Sequence, residues 1–143
     1  MNQSNAPVPT NYAHLPQWAF GSTTQKADAL CTLVLEGKKT ATCRPIYQFE
    51  DDPAPEPGDR TVLPDGDNRA RCVIEFTATD VLAFEEVDAA FAKLEGEGDL
   101  SLARWRKDRQ KLFTAQGYFA ADMLLLCQHF KVIERFEYKR VAR

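Results

Sequence analysis

Ala27, Leu30, Cys31, Val34 and Leu35 recur at i, i+3, i+4 and i+7 spacing, which predicts an amphipathic helix over residues 25–36. Ser22, Thr23 and Thr24 offer hydroxyl caps to its start, and Gly37 supplies the left-handed residue that ends it. The period then shortens to two. Ala41 and Cys43 alternate with Thr40, Thr42 and Arg44, predicting a strand over residues 40–44 with one polar face. Residues 60–63 read as a short strand, turned by Pro64-Asp65-Gly66-Asp67-Asn68 into residues 70–79. There Cys72, Ile74, Phe76 and Ala78 alternate with Arg71, Val73, Glu75 and Thr77. Residues 81–84 continue the sheet after a bend. Helical spacing returns through Val87, Ala90, Phe91 and Leu94, and again after the capping Ser101, with Leu102, Trp105, Arg109, Leu112 and Phe113 near one face of a helix reaching residue 116. Residues 123–130 and 132–136 are apolar and strand-like, whereas Pro53, Pro55 and Pro57 make the acidic stretch 48–59 a loop. The order helix, strands, helices, strand does not repeat as βαβ, so the expected class is α+β: a small mixed barrel or sheet with helices packed around it.

A chain of 143 residues suits one domain. It is read as residues 17–138, with a flexible N-terminal tail at 1–16 and a basic C-terminal tail at 139–143. The net charge of −3 provides no global field for nucleic acid, so an RNA partner would have to be met by a local basic patch. Lys38, Lys39, Arg44 and the basic residues from Arg104 to Lys111 are the candidates. Cys31, Cys43, Cys72 and Cys127 form no C-x-x-C pair, and two histidines complete no zinc spacing, so neither a metal nor another cofactor is expected. The start lacks the layout of a signal peptide, and the longest apolar run, residues 123–127, is too short to span a bilayer. A cytoplasmic protein with reduced, buried thiols and no membrane partner is the expectation.

Two polar knots stand out. Glu36-Gly37-Lys38-Lys39-Thr40-Ala41-Thr42 gathers cations, hydroxyls and a hinge, and Glu95-Gly96-Glu97-Gly98-Asp99 threads two glycines between three acids. The plain structural reading is a C-capped helix with lysines at the negative end of its dipole, and a solvated acidic turn. Trp105 shares the apolar face of its helix with Leu102 and Leu112 and reads as core. The chemical reading is amide hydrolysis, with Lys39 taking the Thr42 proton while Glu95 or Glu97 orients the lysine or protonates the leaving amine. That reading has two requirements. Removing the proton of a solvated lysine at pH 7 costs roughly 4–5 kcal/mol, so its surroundings must change. A regular strand would align Lys38, Thr40 and Thr42 but turn Lys39 away from Thr42, so the chain must bend near Gly37.

The Phe20-Gly21 pair, Ala27-Asp28-Ala29-Leu30, and the run from Leu33 to Thr42 resemble the opening signature of the ASCH domain family. Pro57-Gly58-Asp59, Cys72-Val73-Ile74-Glu75, the segment Glu95 to Asp99, Ser101-Leu102-Ala103-Arg104-Trp105 and Cys127-Gln128-His129-Phe130 extend the likeness from Trp18 to Phe136. It implies a barrel related to PUA domains with a cleft between barrel and helices, and a partner that is RNA or a modified nucleoside. One compact bacterial branch removes the acetyl group from N4-acetylcytidine, its lysine and threonine falling in a Gly-x-Lys-x-x-Thr motif that here is Gly37, Lys39 and Thr42. Its catalytic glutamate lies in the segment of Glu95 to Asp99, leaving Glu95 and Glu97 both as candidates. A longer bacterial member, more similar to this chain, is associated with ribonuclease activity. Relatives of that longer form carry a histidine where this chain has Arg109, and residues 48–59 are extended. The expected site thus comprises Lys39, Thr42, Glu95 and Glu97 as catalytic residues, with Lys38, Thr40, Arg44, Asp99 and Arg109 binding the ligand. The alternatives to an amidohydrolase are a noncatalytic RNA-binding module and a metal-independent single-strand ribonuclease.

Overall fold

Thr23 starts the first helix by accepting the Lys26 amide on its side chain, satisfying one of the unpaired N–H groups of α1 (Thr24–Leu35). This computed structural model describes residues 8, 10–21, 23–51 and 53–136. After α1 come β1 (Ala41–Pro45), a short 3-10 turn (Ile46–Phe49), β2 (Arg60–Pro64), β3 (Ala70–Ala83), α2 (Ala89–Glu95), α3 (Leu102–Ala115) and β4 (Leu124–Arg135). The strands pair antiparallel in the order β1-β4-β3-β2, a curled half-barrel with helices packed around it.

Segments expected as separate strands run on as single long ones. The bend anticipated after residue 79 is replaced by shifts of register between Val73 and Ile74 and between Phe76 and Ala78. A bulge bends a strand and increases its twist without ending it, so β3 curls through 14 residues while staying paired to β4. The strand-like stretches at 123–130 and 132–136 likewise form the single strand β4, with the exposed Lys131 between them placed 3.9 Å from Glu75 of β3. Helix α2 begins later than its apolar period suggested, because Asp88 caps it by accepting the Phe91 amide.

Both faces of the sheet are covered. Ala41, Cys43, Leu125 and Cys127 pack against Phe91, Trp105 and Phe113 of α2 and α3. Cys31 and Val34 of α1 meet Leu63, Cys72, Ile74, Phe76 and Phe130, with Phe20. Tyr12 and Leu15 contribute to a third cluster around Val62, Ala70 and Val73. The preceding chain also reaches the edge of β2: the Val62 amide donates to the Pro16 carbonyl at 2.9 Å, and Gln17 forms a parallel bridge with Val62. That contact covers backbone groups an edge strand would otherwise leave open. Residues 1–7 of the expected N-terminal tail and the basic tail 139–143 lie outside the described residues.

Candidate functional site

Gly37 takes a left-handed φ of 77° and turns the chain so that the amides of Lys38 and Lys39 both donate to the Leu33 carbonyl, at 2.9 and 3.1 Å. The Thr40 amide then donates to the Leu94 carbonyl at 2.9 Å, and β1 starts only at Ala41. Lys39 is therefore not a strand residue. Its Nζ folds back to donate to the Ala41 carbonyl at 3.0 Å. This is the bend that strand geometry demanded, and it lets Lys39 and Thr42 line the same cavity of about 500 Å³, walled by α1, β1, α3 and the loop after α2.

Gly96 makes the other half of this junction. A Cβ there would stand 2.4 Å from the Lys38 carbonyl oxygen and 3.1 Å from the Lys39 Cα, and its φ is 75°. Only glycine allows the end of α2 to lie against the Lys38-Lys39 backbone. Glu95 and Glu97 are in this way brought to the lysine from 56 and 58 residues further along the chain.

The two glutamates differ in setting. Glu95 is 1% exposed and stands behind the wall. Its Oε1 accepts from Trp105 Nε1 at 2.6 Å and Arg109 Nε at 3.0 Å, and its Oε2 accepts from the Cys43 amide at 3.1 Å and lies 3.5 Å from Lys39 Nζ. Burial by itself would raise this carboxyl, but Lys39, Arg109 and the bonds from Trp105 and Arg109 outweigh it and hold it below its usual range. Glu97 is on the cavity wall, with a side chain 29% exposed. Its Oε2 accepts from Arg109 at 2.6 Å and from Lys39 Nζ at 3.3 Å. Lys39, only 2% exposed, completes its three donor positions with the Glu95 carbonyl at 3.4 Å and lies 5.3 Å from the Phe20 ring centroid.

Arg109 bridges both carboxylates. Burial alone would lower it, whereas Glu95 and Glu97 raise it beyond its ordinary value. The group is thus two carboxylates against two cations, a compensated cluster in a largely desolvated place. Cys43 also lines the cavity, with Sγ 3.6 Å from Glu95 Oε1. Burial first, and then the Glu95 charge, push its thiol well above the usual range, which suits a donor to Glu95 and not a thiolate nucleophile.

Arg44 lines the cavity too, its guanidinium 4.8 Å from the Trp18 ring centroid and 4.5 Å from that of Phe49. Lys38, Thr40 and Asp99 are not brought to it. The Lys38 side chain is 65% exposed and pairs with Glu36 at 3.4 Å. Thr40 is half-buried where its backbone ties β1 to α2 and β4. Asp99 holds Ser101, the N-cap of α3, by accepting from its amide and hydroxyl. Sequence reasoning missed Lys26, Cys43 and the polar side of Trp105. Trp105 is core as read, stacked on Phe84, yet its indole N–H fixes Glu95; a buried tryptophan's need for an acceptor is the signal that could have found this. Nothing in the local pattern marks Lys26 as a wall residue.

Among the described residues, no group of three or more His, Cys, Asp or Glu is placed to hold a metal ion, and no helix is long and apolar enough to cross a membrane. Comparison with curated proteins gives no match. Among solved structures, the chain resembles the crystal structure of an ASCH domain from Lactobacillus crispatus JV V101, with 30% identity and a TM-score of 0.81 over 87% of this chain and 83% of that one. It also resembles the protein EF3133 from Enterococcus faecalis V583, with 29% identity and a TM-score of 0.76 over 90% and 86% of the two chains. The ASCH domain family model matches residues 16–134, spanning Lys39, Thr42, Glu95, Glu97 and Arg109, and the chain belongs to the ASCH domain family, which is associated with RNA binding.

Proposed function

We propose that the cavity is the active site of an amidohydrolase acting on an acylated, cytidine-like nucleoside derivative. The observation that carries this reading is that Lys39, Thr42 and Glu97 line one cavity despite the strand geometry that would turn Lys39 away from Thr42. A cavity of about 500 Å³ suits a ligand of nucleoside size. Thr42 supplies the nucleophilic hydroxyl; among the described residues it has no side-chain hydrogen-bond partner. Passing one proton from Lys39 to Glu97, whose Oε2 lies 3.3 Å from Nζ, removes both charges together and leaves the neutral amine that the next step needs. The neutral amine then takes the Thr42 proton as its oxygen attacks the acyl carbon. Restored as an ammonium, Lys39 stabilises the tetrahedral oxyanion. Glu97 gives its proton to the departing amine, and water releases the acyl group from Thr42. Glu95 and Arg109 are positioning residues that keep this pair in place.

The test is turnover of N4-acetylcytidine followed by chromatographic separation of cytidine and acetate. The wild-type protein is expected to hydrolyse it, and Thr42→Ala, which leaves the buried ion cluster intact, to lose roughly 10²- to 10⁴-fold in kcat/KM while remaining folded; Lys39→Met loses activity and also stability, since it leaves Glu95 and Glu97 short of a cation. No turnover by the wild-type protein rejects the substrate, and full activity in Thr42→Ala rejects the nucleophile.

A second reading, RNA binding without catalysis, is favoured by Arg106, Lys107 and Lys111 on the exposed face of α3. It requires affinity for single-stranded RNA that falls steeply with salt, because phosphate contacts release counterions; a flat salt response counts against it.

A further inference from the structure

Four cations line the cavity: Lys26, Lys39, Arg44 and Arg109. Lys39 and Arg109 are matched by Glu95 and Glu97. Lys26 and Arg44 have no ion pair among the described residues, so two positive charges remain unmatched in a chain whose net charge is −3. Arg44 is the more telling of the two. Its Nε is buried without a hydrogen-bond partner among the described residues, an arrangement that costs stability unless something accepts from the guanidinium. Its guanidinium carbon lies over the rings of Trp18 and Phe49, contacts that use its charge but supply no oxygen to its N–H groups. A planar fork held in this way is shaped for two oxygens of one anion.

From this we infer that the cavity takes a nucleotide in preference to the free nucleoside, with Arg44 and Lys26 forming the phosphate-holding end. The inference rests on the reading of the cavity as a nucleoside site and names the anion that reading leaves open. Arg44 stands two positions beyond Thr42 on the same face of β1, about 7 Å along the strand. An acyl group at Thr42 and a phosphate at Arg44 therefore occupy opposite ends of one ligand. Lys39 and Arg109 are already matched by Glu95 and Glu97, so a standing phosphate charge falls to Arg44 and Lys26.

Calorimetric titration with cytidine, cytidine 5′-monophosphate and inorganic phosphate tests this without requiring turnover. The nucleotide is expected to bind the wild-type protein roughly ten- to a hundredfold more tightly than cytidine, as charge-assisted contacts to a phosphate imply, with the ratio falling as salt rises. In Arg44→Met the ratio drops toward one. In Lys26→Gln, at an exposed side chain whose loss leaves the fold intact, it drops by about threefold, the smaller effect expected of a solvated charge. A wild-type ratio near one overturns the proposal, as does absence of binding by all three probes. A ratio unchanged in folded Arg44→Met and Lys26→Gln does the same, and if Arg44→Met does not fold, Lys26→Gln alone decides. Failure of N4-acetylcytidine hydrolysis alongside preferential nucleotide binding removes the chemistry and leaves the anion site standing; hydrolysis with no phosphate preference does the reverse.

Discussion

The back and front walls of the cavity both present cations, but under opposite conditions. At the back, Lys39 and Arg109 are held by Glu95 and Glu97, and Glu95 is further fixed by Trp105 and the Cys43 amide. At the front, Arg44 meets two aromatic rings and no carboxylate among the described residues. Removing one member of a buried, matched set leaves a charge with neither water nor partner. Removing a buried charge that was never matched relieves the fold of a desolvation cost. The back wall is thus part of what holds α2, α3 and β1 together, whereas the front wall has a cation that serves the fold little.

Breaking the back wall should have the largest effect. Glu95→Ala strips the acceptor from Trp105, Arg109 and Cys43 and is expected to lower unfolding stability by about 3–5 kcal/mol, read from the urea midpoint. A next smaller effect lies in pH. The Glu95 carboxyl is held low in the folded state, so its contribution is present above about 4.5 and is lost as pH falls through the depressed folded value. Between pH 5 and pH 2 the urea midpoint should fall further in the wild-type protein than in Glu95→Gln. Asp65 keeps part of the slope in both: burial opposes its ionisation, but bonds from the Arg69 and Asp67 amides and the charges of Arg69 and Arg71 leave it low as well. The smallest change belongs to the front wall. Arg44→Met should alter stability by less than about 1 kcal/mol in either direction, the lost ring contacts being offset by relief of burial. A loss as large as that of Glu95→Ala would mean that the two walls do not differ in kind.

The contrast also shows how much the local pattern conveyed. The helix ending at Gly37, the alternation through Cys72 to Phe76 and the cap at Ser101 depend on near neighbours in the chain, and each element forms where its period placed it. The length of β3 and β4 was less legible, because bulges are set by pairing with the opposite strand and leave no period of their own. Among site residues, Lys38 and Lys39 are adjacent and chemically alike. One pairs with Glu36 in solvent and the other is buried between two glutamates, a distinction created by the turn at Gly37 and the approach of Gly96.

What the sequence by itself determined is the α+β class, the helix and strand periods, and the two polar knots whose residue types permit acid, base and nucleophile roles, since these follow from contacts within a few positions along the chain. What only the tertiary structure decided is which acid stands behind the wall and which faces the cavity. It also decided that Lys39 lines the same cavity as Thr42, and that Arg44 and Lys26 have no ion pair among the described residues. Those outcomes depend on contacts between residues dozens of positions apart, made where α2 ends on a glycine against the turn that precedes β1.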